Sequence, residues 1–165
     1  MPTTTVTYTR TKTAVFITDV VMGAIGDILS ELRIDVTALY RDWKQDEAAI
    51  AAWIDEGSLR QVVLECHQPN GSVSPIIEFP LAYQASGTGD AKFTADRAAL
   101  ARYRAKLDRV PAGTRFALIC SFLKAHSDQP GWGPTTRAST EGLSSLRFGT
   151  LASAPNASVS MRYLR

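Results

Sequence analysis

Leu59-Arg60-Gln61-Val62-Val63-Leu64-Glu65-Cys66-His67, the turn Gln68-Pro69-Asn70-Gly71 and a second run from Val73 to Gln84 decide the fold class. Asn-Gly between two β-prone runs signals an antiparallel hairpin, because both residues tolerate the positive φ that a tight hairpin turn requires. Pro75 and Pro80 cannot donate to a ladder, which predicts that the second strand is an edge or is interrupted. Upstream, from about Thr13 to Leu32, the residues Ile17, Val21, Ala24, Ile28 and Leu32 recur at helical spacing, and Val20, Ile25 and Leu29 widen the stripe. Gly23 and Gly26 weaken this helix but permit another backbone to approach. A linker, Asp35 to Trp43, leads to a short helix from about Asp46 to Glu56, capped by Asp46 and ended by Gly57. Its apolar positions Ala49, Ile50, Trp53 and Ile54 share one face, so Trp53 reads as core.

Downstream of the hairpin, the loop Ser86-Gly87-Thr88-Gly89-Asp90 precedes a third helix, about Thr94 to Arg109. Leu100, Tyr103 and Leu107 lie on one side of it, and Arg97, Arg102, Arg104, Lys106 and Arg109 make the other side basic. Pro111-Ala112-Gly113 ends that helix, and Thr114 to Leu123, apolar on both faces, predicts a buried strand. The Thr-rich start, Thr3 to Arg10, suits an extended arm or edge strand. Helices, a hairpin, a helix, a strand and a β-prone tail in that order indicate an α+β domain rather than a parallel doubly wound one.

The 165 residues suit one domain, and 45% apolar content is enough for a substantial core. No stretch reads as long and apolar enough to cross a bilayer, and Met1 to Thr5 lacks the basic leader and apolar core of a secretory signal. A soluble, cytoplasmic protein is the expectation. Cys66 and Cys120 both fall in strand-like runs, as buried inert thiols do. Together with His67 and His126 they lack the paired spacing of a structural zinc site, and no metal or cofactor is expected. Residues 1–91 carry 6 Lys/Arg against 12 Asp/Glu and residues 92–165 carry 12 against 4, so the basic half either attracts an acidic partner or pairs with the acidic half.

Catalysis finds little support. There is no phosphate-cradling glycine motif, and His126-Ser127-Asp128 is not a triad, because consecutive residues cannot converge on one point. The five cations of the third helix and Arg137, Arg147, Arg162 and Arg165 keep a basic nucleic-acid-binding module as the alternative, although the aromatics do not interleave with them as a stacking platform would. The last forty residues combine small polar residues with spaced anchors, and so are neither a linker nor an ordinary core segment.

Several stretches together resemble bacterial HORMA-domain proteins: Thr13-Ala14-Val15-Phe16-Ile17-Thr18-Asp19-Val20, Leu39-Tyr40-Arg41-Asp42-Trp43, Ala52-Trp53-Ile54-Asp55-Glu56-Gly57-Ser58-Leu59, Leu64-Glu65-Cys66-His67, Ala95-Asp96-Arg97, Pro130-Gly131-Trp132-Gly133-Pro134 and Arg162-Tyr163-Leu164-Arg165. The resemblance implies a single α+β domain over residues 1–165, with an N-terminal arm (1–12), a core (13–124) of three main helices on a mostly antiparallel sheet, and a C-terminal safety belt (125–165). It implies a non-enzymatic switch that binds a closure-motif peptide by β-augmentation under the belt. Trp132, Leu143, Leu146 and Phe148 are the belt residues expected to lock over the peptide. It further implies that the closed form binds and activates a cyclic nucleotidyltransferase in cyclic-oligonucleotide anti-phage signalling (CBASS), with Arg102, Lys106 and Arg109 as the candidate contact. An AAA+ ATPase would reopen the switch, with Thr5, Val6, Thr7 and Tyr8 in the arm as its handle.

Overall fold

The computed structural model describes residues 2–84 and 92–165, with side chains from Thr9 onward. The loop expected at Ser86 to Asp90 and the side chains of Thr5, Val6, Thr7 and Tyr8 lie outside these described residues.

Three helices precede the hairpin: α1 (Pro2–Glu31), α2 (Thr37–Arg41) and α3 (Trp43–Asp55). The apolar stripe of α1 forms the centre of the molecule, with Ile17, Met22, Ile25, Ile28 and Leu29 fully buried between α3 and the sheet. At about 1.5–3 kcal/mol for each large aliphatic side chain removed from water, this stripe is a main source of stability. Helix α1 starts at Pro2, so the N-terminal residues extend the helix instead of forming an extended arm. Adding residues to an existing helix is cheaper than nucleating one, and the Arg10 guanidinium donates to the Asp55 carbonyl at the C-terminal end of α3, where a cation is favoured. The segment Thr9–Glu31, with mean hydropathy 1.6, is long and apolar enough to cross a membrane, contrary to the expectation above. Most of it is buried in the protein core.

Hairpin β1 (Leu59–His67) and β2 (Val73–Tyr83) forms where Asn-Gly placed it, with Gly71 at φ 90° and Ser72 N–H donating to Asn70 Oδ1 at 2.9 Å. Then follow β3 (Thr94–Ala95), α4 (Arg97–Arg104), β4 (Arg115–Phe122), β5 (Ser145–Ser153) and β6 (Ala157–Leu164). Helix α4 is shorter than its periodicity suggested. Asp96 caps it by accepting from Ala99 N–H at 2.8 Å, while Thr94–Ala95 pairs with β5 and Lys106 and Arg109 lie beyond its end. Likewise α3 begins at Trp43, so Asp46 sits in its first turn and is not its cap.

The sheet order is β3-β5-β6-β2-β1-β4, all antiparallel. Two expectations are therefore exchanged. Strand β2, with its prolines, is interior, and β4, apolar on both faces, is an edge. The β2–β6 ladder lapses at Phe79 and Pro80 and resumes at Leu81, which is how an interior strand accommodates a residue with no N–H. Bulges in β5 on either side of Thr150 accompany the inward turn of Phe148 and Leu151 onto the core. The helices cover one face of the sheet, and a smaller cluster of Val63, Ile76, Ile119 and Leu164 lies on the other.

Of the two glycines in α1, Gly23 has nothing within 4 Å of a Cβ built on it, while at Gly26 Tyr40 Oη would lie at 3.5 Å and Leu39 Cδ2 at 3.8 Å. Side chains, not a backbone, approach Gly26, and one methyl fits. Gly26→Ala is therefore expected to raise stability by about 1 kcal/mol through helix propensity, whereas Gly26→Leu overpacks the contact and costs about 1–3 kcal/mol. Urea unfolding of the two variants checks both signs.

Candidate functional site

The C-terminal hairpin β5–β6 docks beside β2, on the opposite side of the sheet from β4. Residues 123–144 must connect the two sides. Leaving β4, Leu123 N–H donates to Ser58 O at 2.8 Å, Ser127 N–H to Glu56 Oε1 at 3.0 Å, and Trp53 Nε1–H to Ser127 O at 2.8 Å. Gln45 Nε2 donates to Pro130 O at 2.7 Å. The segment thus runs along α3 from its C-terminal end to its first turn. Gly131, at φ 81°, sits in a backbone conformation that favours glycine, and a Cβ there would displace the Gln45 amide from Pro130 O.

Beyond Trp132 the segment reaches the other face of the sheet. Ala138 N–H donates to Glu65 Oε2 at 2.6 Å, and Arg137 donates to Glu78 Oε2 at 2.7 Å, while Arg162 holds Glu78 Oε1 at 3.1 Å. His67 Nε2 lies 3.0 Å from the remaining oxygen of Glu65. Both carboxylates are nearly buried, at 2% and 4% exposure. A charge so placed needs partners, and this segment supplies one to each. Leu143 then packs on the Val63–Leu164 cluster, and Ser144 exchanges backbone hydrogen bonds with Arg165. To pass from Trp132 on the helix face to Arg137 on the other, the chain goes around the outer side of β4.

The enclosed edge is chemically unusual. Phe116, Leu118, Cys120 and Phe122 face the helix layer, and no strand pairs with the outer side of β4 among the described residues. A long apolar edge presents unpaired N–H and C=O groups and promotes unwanted strand pairing unless something covers it. Between β4 and this segment lies a cavity of about 350 Å³ lined by Trp53, Cys120, Phe122, His126, Asp128 and Trp132, among others. Trp53, only 2% exposed, is its floor, with Phe122, His126 and Trp132 ring centroids at 4.9, 5.6 and 5.3 Å from its own. The His126 ring stacks on Phe122 at 3.6 Å.

One carboxylate, Asp128, lines this cavity, and Glu56 accepts a hydrogen bond from the neighbouring Ser127. Burial opposes the charge on Glu56, but hydrogen bonds from Ser58 and Ser127 and the nearby His126 outweigh it and hold the carboxyl below its usual range. Burial and the neighbouring Asp42 charge push Asp46 up, against a contribution from Trp132. Burial also pushes up the Cys120 thiol, which is a neutral wall group and not a nucleophile.

Of the expected belt residues, Trp132 alone lines this cavity. Leu143 anchors the belt on the far face, Phe148 is buried and stacks on Tyr103 at 4.4 Å, and Leu146 is 40% exposed on β5. Arg102 and Arg109 are exposed, and Lys106 lies 6.0 Å from the Phe148 ring centroid. His67 and His126 lie at opposite ends of the sheet, so the weighed zinc constellation is not assembled. Several basic residues of the second half pair with the first, Arg104 with Glu31 and Asp27, and Arg137 and Arg162 with Glu78. The sequence reading missed Glu65 and Glu78, whose signal was a carboxylate inside each apolar strand. A larger groove of about 580 Å³ lies between α1 and α4, beside the two-residue edge strand β3.

The family model described as bacterial HORMA domain 2 matches residues 2–165. No curated protein matches the chain in sequence. Among solved structures, a chain of the mitotic checkpoint complex is similar with a TM-score of 0.73 at 9% identity, covering 92% of this chain and 97% of that one. C. elegans HTP-1 bound to the HIM-3 closure motif gives a TM-score of 0.69 at 11% identity, covering 92% and 89%. The E. coli MS115-1 CdnC:HORMA-deltaN complex gives 0.58 at 12% identity, covering 92% and 86%.

Replacing Glu78 with Ala leaves Arg137 and Arg162 without their common partner and frees the middle of the belt. A loss of about 1–3 kcal/mol and faster hydrogen exchange across residues 136–144 are expected, with exchange in α1 changing less. Mass-spectrometric hydrogen exchange provides the measurement.

Proposed function

The chain belongs to the bacterial HORMA domain 2 family, and from that membership we propose that it is a non-enzymatic switch that captures a closure-motif peptide between β4 and its belt. One observation carries this reading: the apolar edge of β4 has no strand partner among the described residues and is encircled by residues 123–144. An extended peptide would add to β4 as a seventh strand, with main-chain hydrogen bonds giving affinity and the flanking pockets giving selectivity. The belt, fixed to α3 at one end and to Glu65 and Glu78 at the other, would slow the peptide's escape, so affinity would reside mainly in the off-rate. The solved neighbour holding a closure motif supports this reading.

The same proposal extends to partners, supported by the neighbour solved with CdnC. In its closed, peptide-bound form the chain binds and activates a cyclic nucleotidyltransferase in cyclic-oligonucleotide anti-phage defence, using Arg102, Lys106 and Arg109. A hexameric AAA+ ATPase reopens it by engaging the N-terminus around Thr5, Val6, Thr7 and Tyr8. Pulling there draws on α1, whose buried stripe is the centre of the core, so force is transmitted directly to the elements that hold the belt.

Two outcomes follow. A captured peptide should slow protease cleavage within residues 123–144 and protect the β4 amides from exchange, and Trp132→Ala should weaken capture about tenfold or more. Equal cleavage with and without bound peptide would sink the belt reading. Reversing Arg102, Arg109 and Lys106 to Glu should abolish most synthase binding while peptide affinity is unchanged, and removal of residues 1–8 should block ATPase-driven peptide release alone. Pull-down and release assays separate these effects.

A further inference from the structure

We infer that the cavity beside β4 selects a basic side chain, arginine or lysine, at one position of the captured peptide. The inference rests on the peptide-binding reading above and concerns the helix-facing side of the added strand. Along β4 the side chains alternate, with Cys120 and Phe122 facing the helices and Ile119 facing the opposite side. A peptide strand pairing with β4 alternates in the same way, so every second side chain faces the helices, and the one beside Cys120 and Phe122 enters the space over Trp53.

The cavity there fits a cation with an apolar stem. Its aromatic content is concentrated, with Trp53 as floor and Phe122, His126 and Trp132 as walls. Ring faces attract a cation and accept methylenes. Asp128 is on the lining, and no Lys or Arg is. A further carboxylate stands close behind it: Glu56, which accepts from Ser127 N–H at 3.0 Å. Trp53 lies in the last turn of α3, where the helix dipole adds partial negative charge. The volume of about 350 Å³ accommodates one long side chain together with water. An acidic side chain would meet these carboxylates unpaired. A neutral aromatic one would leave the field of the carboxylates unused.

The test is to pan a random decapeptide display library on the full chain and to measure affinities of the selected synthetic peptides for the unaltered protein and Asp128→Asn. The expected result is one position enriched in Arg or Lys. Replacing that residue by norleucine should lower affinity about tenfold, and Asp128→Asn should weaken the basic peptide several-fold at low salt without changing affinity for the norleucine peptide. Asp128 is exposed, so its isosteric replacement leaves the fold intact. Selected binders with no basic position, or an equal effect of Asp128→Asn on both peptides, would overturn the inference while leaving peptide capture standing. Failure to select any peptide would overturn both.

Discussion

Docking of β6 against β2 is the constraint on which the rest of the molecule depends. Pairs such as Ile77 with Tyr163 and Leu81 with Val159 place the C-terminal hairpin on the far side of the sheet from β4. The chain between β4 and β5 then has no short route. It travels along α3, rounds the β4 edge and crosses the opposite face, and the edge it encircles pairs with no strand among the described residues. Had the hairpin paired with β4 instead, that edge would be filled and the long connection would have nothing to enclose.

The attachments at the two ends of the connection differ in kind. Along α3 it is held by hydrogen bonds to Gln45, Trp53 and the half-buried Glu56 carboxylate and by aromatic contacts around Trp53. On the other face it is held by buried carboxylates whose charges require Ala138 N–H, Arg137 and Arg162. Separating the connection from the sheet would leave Glu65 and Glu78 short of partners, a cost that opposes the separation. The helix side offers no comparable penalty. Displacement of the connection is therefore resisted most strongly in its middle.

Much of the fold could be read locally. The hairpin turn, the buried stripe of α1 and the inward face of α3 each follow from patterns within a few turns of chain, and Asn70-Gly71, Ile17 to Leu32 and Trp53 occupy the places those patterns predict. The candidate site was less legible. Trp132 was among the expected belt residues, but Glu65 and Glu78, which hold the belt from within the strands, were passed over. Their partners lie 73 and 59 residues away, beyond the reach of periodicity.

The exchange of β2 and β4 marks the same boundary. Proline content argued for an edge and apolar content for an interior, and each rule describes a single strand without its neighbours. The sequence by itself determined most of the helices and strands and which faces are apolar, the N-terminal residues and Thr94–Ala95 excepted, because backbone preference and side-chain periodicity act over short distances. Only the tertiary structure decided which strand lies at the edge, which carboxylates clasp the connection and where the aromatic cavity opens. Those outcomes depend on where β6 pairs, a choice made by hydrogen bonds and packing between residues far apart in the chain.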